Sequence, residues 1–205
     1  MSIEVKYSKK PVEYRESMKI LEKRVQDVLL GKKKELLWIL EHYTIYTGGT
    51  SSDEKDLLDK NIKILRTNRG GKYTVHSPGQ KVVYFVLNLN NRGKDIRKLV
   101  SKVEKCIVET LLEYSIKSFP DKKNIGIWVN DKDNLKKIAA IGIKVKRWIA
   151  YHGFSLNVSN NLKKYNKIIP CGIKDRGVTN LKLINPKNYE NIEKVITKKF
   201  LNIFL

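Results

Sequence analysis

The chain is short of sulfur and of negative charge. Its 205 residues hold two cysteines, two methionines and three histidines, and 21 acidic residues face 42 basic ones. Two cysteines exclude a multi-bridge disulfide framework, so both are expected as reduced thiols. No apolar run approaches the roughly 20 residues needed to span a bilayer, so no membrane association is expected. The N-terminal stretch MSIEVKYSKKPVEYRES has neither the apolar segment nor the small-residue cleavage site of a secretory signal, and the expected location is cytoplasmic. No internal repeat, low-complexity linker or composition break divides the sequence. With 41% apolar and 31% charged residues it reads as one globular unit over residues 1–205.

The formal net charge of +21 invites a nucleic-acid partner. The distribution argues otherwise. Lysines are scattered through most segments, and the densest clusters, GKKKELL and ITKKFLN, lie at the edges of expected elements. No Arg-rich arm, zinc-ligand spacing or aromatic RNA-binding signature accompanies them. The expectation is a solvated basic surface with no nucleic-acid partner, suited to acidic protein partners.

Periodicity predicts a helix over residues 15–30, with Met18, Leu21, Val25, Val28 and Leu29 on one face and Gly31 closing it. ELLWILE reads as a buried strand, followed by a loop around YTGGTSS. Ser51 and Glu54 suggest a capping box for a short helix over DEKDLLDK. Strands follow at IKILR and KVVYFVLNL, separated by the Gly-rich segment 69–80. Residues 94–117 carry Ile96, Leu99, Val103, Ile107, Leu111 and Tyr114 at helical spacing. IGIWV reads as a strand, and IAAIGIKVKRWIAYHGFSLNV as two more. Asn185 and Pro186 are expected to start a last helix that docks through Ile192, Val195, Ile196, Phe200 and Ile203. Strands and helices without strict alternation predict an α+β fold with a mixed, largely antiparallel sheet flanked by helices.

Candidate chemistry is sparse. Cys106 falls on the apolar face of the long expected helix and reads as a packed core thiol. Cys171 stands between Pro170 and Gly172 in IIPCGI, where the backbone is bent by its neighbours and the side chain is aimed rather than packed. A free thiol, with a pKa of about 8.5, needs a partner to become a nucleophile at neutral pH. The candidates are His42, His76, His152 and Lys137, which opens the uncharged run KIAAIGI. A surface role for Lys137 and a core role for any histidine stand beside that reading. The segment RTNRGGKYTVHSPGQ offers Gly70 and Gly71 for a tight, ligand-facing turn but has neither P-loop nor dinucleotide-binding spacing, so a plain turn stays open. A zinc site from His76, His152 and Cys171 lacks a closely spaced ligand pair. No metal and no other cofactor is expected.

Five blocks in order, RGGKYTVHSPGQ, KIAAIGIKV, HGFSLNV, IIPCGI and RGVTNL, resemble the lipoyl(octanoyl) transferases, with similarity over about residues 35–185. The resemblance implies a biotin/lipoate protein ligase-like fold and transfer of an octanoyl group from octanoyl-acyl carrier protein to a lysine of a lipoyl domain, as found in 2-oxoacid dehydrogenase complexes and the glycine cleavage H protein. It implies Cys171 as the acyl-thioester nucleophile and Lys137 as the lysine that lowers its pKa. It implies substrate binding by Arg69, Gly70, Gly71, Lys72, Tyr73, Thr74, Val75 and His76, by Ala140, Ile141 and Gly142, and by Gly153, Phe154 and Ser155. Two positions depart from the family pattern: Ser77 replaces a usual Gly, and Ser155 a usual Ala. A positive φ at position 77 would strain the loop by about 1 kcal/mol. The rival reading is an ATP-dependent lipoate or biotin protein ligase of the same fold, against which Cys171 counts.

Overall fold

The computed structural model describes residues 2–132, 134–172 and 176–205, with Cys171 described by its backbone alone. Eleven strands and four α-helices are present among them: β1 (Ile3–Tyr7), α1 (Tyr14–Leu29), β2 (Glu35–Leu40), β3 (Ile45–Gly48), β4 (Ile64–Arg66), β5 (Tyr73–His76), β6 (Gln80–Asn88), α2 (Ile96–Leu112), β7 (Phe119–Pro120), β8 (Ile127–Asp131), β9 (Asn134–Lys146), β10 (Ile149–Asn157), β11 (Gly177–Val178), α3 (Leu181–Ile184) and α4 (Ile192–Phe204). The main sheet runs β1-β2-β6-β10-β9-β8-β7, with β11 added to β9, and a small sheet runs β4-β3-β5. Only β1 on β2, β11 on β9 and β4 on β3 are parallel, so the expected mixed, mainly antiparallel α+β architecture is present.

Strand alternation separates two cores. Leu37, Ile39, Val83, Phe85 and Leu87 point to α2 and α4, where Val103, Ile107, Ile196 and Phe200 are fully buried. Their neighbours Leu36, Trp38, Leu40, Val82, Tyr84 and Val86 point the other way, to Leu21, Val25 and Val28 of α1. Cys106 lies inside the first core at 0% exposure, and burial pushes its thiol up to about 12. It is the inert thiol its helical position predicts. The β9–β10 hairpin turns at Arg147 (φ 49°) and Trp148 (φ 62°), both left-handed as a type I′ turn requires.

Several local expectations fail. The proposed capping box is absent: Asp53, not Ser51, caps a single 3₁₀ turn over Glu54–Asp56 by accepting from Lys55 N–H. The expected loop around YTGGTSS overlaps β3, and the Gly-rich segment contains β5, because the two short stretches pair with each other. β1 was also unforeseen; it is a half-exposed edge strand with little apolar periodicity. The last helix starts at Ile192, not at Pro186. Asn185 ends α3, and its side chain donates to the Tyr114 carbonyl instead of capping. Ile96 is 45% exposed at the first turn of α2, off the buried stripe.

Phe200 is fully buried, with its ring centroid 5.8 Å from Phe85 and 4.4 Å from Phe204. Phe200→Ala is expected to destabilise the fold by about 3–5 kcal/mol, read as a lower urea midpoint at unchanged slope.

Candidate active site

A narrow cleft opens between the α1 face of the main sheet and the segment that follows β4. Its floor is Ala140 and Gly142 of β9 with Gly153 and Ser155 of β10, paired across the hairpin as Ala140↔Ser155 and Gly142↔Gly153. Small side chains here leave sheet surface open where larger ones would fill it. At Gly153 (φ +156°) a Cβ would collide with the Val83 carbonyl oxygen. The roof is the loop Arg69–Gly71 running into β5. Gly70 lies so close to β9 that a Cβ would stand 3.0 Å from the Ile143 oxygen, and Gly71 takes φ +87°. Arg69 holds this loop from within: its guanidinium donates to the carbonyls of Thr47 (2.9 Å), Lys72 (2.8 Å) and Gly70 (3.0 Å). Ser77 is buried but not at positive φ, so the feared strain is absent; Gly79 (φ +84°) makes the turn.

The inner wall is polar and uncharged. Behind the wall, His42 Nδ1–H donates to the Val12 carbonyl (2.7 Å), leaving Nε2 to accept from Tyr84 O–H (2.8 Å), a lining residue. His76 Nδ1–H donates to Gln80 Oε1 (2.6 Å), and Tyr14 stacks on its ring at 6.0 Å. His152 Nε2–H donates to Asn68 Oδ1 (2.8 Å). The partners set these tautomers, and burial keeps the rings neutral by lowering the imidazoles from 6.5 to about 4 for His42 and about 3 for His76 and His152. His152 breaks strand alternation. Its φ of 66° turns the ring to the side of Tyr84 and Tyr151, 6.3 and 4.7 Å away.

Lys137 lies beyond the cleft floor, 5% exposed. A recess lined by Lys137, Ala139, Pro170 and Val178 shares Thr74, Ala140 and Ser155 with the cleft, so the two spaces abut. The sheet is irregular at this point. Ile127 of β8 faces Ala139 and the next residue, Trp128, faces Lys137, so Ile138 is an extra residue on β9. Such a bulge re-aims the side chains beside it. The Lys137 ammonium donates to the Ile125 carbonyl (3.0 Å) and sits 4.8 Å from the Trp128 ring centroid.

The backbone of Cys171 belongs to a 3₁₀ turn over Pro170–Gly172. Upstream, Ile169 N–H donates to the Asp56 carbonyl (2.7 Å). Lys72 pairs with the Asp56 carboxylate (2.8 Å), and its alkyl arm lies where a Cβ on Gly172 would stand. Downstream, β11 pairs with β9 as Val178↔Lys137, and Thr179 N–H donates to the Lys137 carbonyl (3.0 Å). The side chain of Cys171 lies outside the described residues.

The fold thus brings Arg69, Gly70, Gly71, Lys72, Tyr73, Thr74, His76, Ala140, Ile141, Gly142, Gly153, Phe154 and Ser155 around one cleft. Val75 alone of the expected set is elsewhere, packed with Tyr165 and Ile168 on the far side of β5. Sequence reading missed Tyr14, Val82 and Tyr84, which line the same cleft from α1 and β6. Their helical and strand periodicity marked a buried face but not a ligand-facing one. Among the described residues no group of three or more His, Cys, Asp or Glu side chains converges as a metal ion requires, and no helix is long and apolar enough to cross a membrane.

Because unfolded imidazoles bind protons that the native ones do not, the unfolding free energy should fall as pH drops from about 6.5 towards 4. Side-chain NMR of the folded protein should show no histidine titrating near 6.5. A native imidazole with an ordinary midpoint would contradict the neutral wall.

Comparison with known proteins agrees with this architecture. Residues 13–201 match the model of the lipoyl protein ligase A/B catalytic domain. The chain is 43% identical over 205 residues to an octanoyltransferase of Ehrlichia chaffeensis, covering 98% of this chain and 96% of that one. It is 41% identical over 207 residues to the octanoyltransferase of Anaplasma phagocytophilum, covering all of both, and 38% identical to that of Zymomonas mobilis, covering 97% and 93%. The solved lipoate-protein ligase A bound with ATP shares the fold, with a TM-score of 0.78 at 17% identity over 99% of this chain and 85% of that one. The putative lipoate protein ligase from T. acidophilum does so with a TM-score of 0.76 at 17% identity over the same shares. The chain belongs to the lipoyl protein ligase A/B catalytic-domain family and, within it, to the octanoyltransferases.

Proposed function

We propose that the whole chain acts as one catalytic unit that takes octanoyl groups from octanoyl-acyl carrier protein, holds them as a thioester on Cys171 and passes them to a lysine of a lipoyl domain. The observation that carries the reading is the convergence on one lysine. β11, which leads out of the Cys171 loop, pairs with β9 at Lys137, and the cleft floor abuts the same recess.

The acyl chain lies along the floor of Ala140, Gly142 and Gly153. The thiolate of Cys171 attacks the donor carbonyl, the carrier thiol leaves with a proton, and the acyl-enzyme remains. The acceptor amine then attacks, giving up its proton as the thioester collapses to an amide. Lys137 serves as the proton carrier in both halves. His76 and His152 are poor candidates for that task, because burial holds them neutral with midpoints of about 3. Exchange of a thioester for a thioester and then for an amide needs no ATP, so no cofactor enters.

Incubation with octanoyl-acyl carrier protein in the absence of nucleotide separates this reading from an ATP-dependent ligase, which the likeness to an ATP-bound fold keeps in view. Intact mass is expected to rise by one octanoyl group in wild type and in Cys106→Ser, and to stay unchanged in Cys171→Ser and Lys137→Ala. An adduct that appears only with ATP would favour the ligase. The chain's +21 charge should also draw acidic carriers, so kcat/KM for the carrier-bound donor should fall as salt rises; a flat profile would remove that electrostatic role.

A further inference from the structure

Side chains also join Lys137 to the segment that follows Cys171. The turn before β8 supplies the Ile125 carbonyl that accepts from the Lys137 ammonium. Asp121 builds that turn: its carboxylate accepts from Lys123 N–H (2.8 Å), from Asn124 N–H (3.3 Å) and from the Asn124 side-chain amide (3.1 Å). The Asn124 carbonyl in turn accepts from Trp128 Nε1–H (2.9 Å). Gly126 closes the turn at φ +136°, where a Cβ would stand 2.7 Å from the Ala139 oxygen and 3.1 Å from Lys137 Cε. The same Asp121 carboxylate takes a 2.6 Å bond from Arg176, the residue just before β11. Arg176 and Lys137 share one indole. The guanidinium carbon is 5.1 Å and the ammonium 4.8 Å from the Trp128 ring centroid.

We propose that Asp121, Arg176 and Trp128 form a latch that sets the alignment of Lys137 with the nucleophile's loop, with Asp121 and Arg176 as positioning residues for octanoyl transfer. The inference rests on the transferase reading above. Two cations over one ring repel each other, and the ring's negative face and the Asp121 carboxylate are what hold them together. Hydrogen bonds from Asn124 and Arg176 keep that carboxyl well below the ordinary range, so the latch stays charged at any pH the enzyme works at. Trp128 is 1% exposed, which fixes the platform. Among the described residues, Lys137 is tied to the segment around β11 through that strand's main chain and through Asp121 and Arg176, and the second tie acts on the turn that holds its ammonium.

The test measures single-turnover acylation by octanoyl-acyl carrier protein and the pH dependence of Cys171 alkylation, both in a Cys106→Ser background. Asp121→Ala is expected to slow acylation about tenfold with the donor KM changed less than about twofold, as for loss of an interaction that acts on the chemical step. Arg176→Gln should do the same, and the double variant should lose no more than either alone. Arg176→Lys, which keeps a cation for Asp121, should recover most of the rate. The thiol titration provides the reading a general loss of structure would not give. Removing a carboxylate by charge alone would lower the apparent pKa of a nearby thiol, whereas loosening Lys137 raises it. The latch therefore requires an upward shift in Asp121→Ala. A downward or absent shift, wild-type rates, or multiplying losses in the double variant would overturn it. If Asp121→Ala does not fold, Asp121→Asn carries the same rate and titration criteria. Failure of wild type to form any adduct would refute the transferase reading itself; a wild-type adduct with unaffected variants would refute the latch alone.

Discussion

Strand β9 changes partners along its length, and at Lys137 it holds one on each edge. Trp128 of β8 lies on one side and Val178 of β11 on the other. Backbone hydrogen bonding is a strong constraint on where β11 sits, because buried N–H and C=O groups must be paired. Here it ties the exit of the Cys171 loop to the lysine's own peptide group through Thr179 N–H. The extra residue at Ile138 then lets Lys137 turn towards the recess while Ala139 and Ile138 remain in the core. Without that bulge, strict alternation would decide the lysine's direction.

The electrostatics divide by depth. The outer surface is strongly cationic, while the cleft wall carries two imidazoles that burial keeps neutral, His76 and His152, and three tyrosines, with the Arg69 guanidinium turned into loop carbonyls. His76 Nδ1 on this wall is already bonded within the protein to Gln80, whereas His152 Nδ1 is buried with no partner among the described residues. Lys137 is a buried amine in the recess that abuts the cleft floor, and its ammonium is held by a carbonyl and an indole face.

Much of this was legible in the residues. The period of α1, α2 and α4 and the apolar runs of β2 and β6 mark the buried elements, and the motif blocks bring thirteen of the fourteen expected binding residues to one cleft. Val75 fails because its side chain packs with Tyr165 and Ile168 in a separate apolar cluster. The bulge at Ile138, the left-handed His152 and the β3–β5 pairing were not legible. Each depends on contacts between segments far apart in the chain, which no local pattern encodes. Asn185 and Pro186 suggested a helix start that the structure uses otherwise, since the Asn185 side chain finds the Tyr114 carbonyl across the fold.

The floor of the cleft is largely bare backbone, and this has an evolutionary consequence. A side chain at Gly153 would strike the Val83 carbonyl, and one at Gly142 would stand 3.2 Å from the oxygen of Gly70. A variant at Gly153 that would narrow the channel also disrupts the hairpin, so it is removed by instability before any change in the cleft's shape is exposed to selection. The channel is thereby shielded from drift at this position, and changes in its shape must arise elsewhere, at Gly142 through a small shift of the roof loop or at residues whose side chains already exist, such as Ala140 or Ser155.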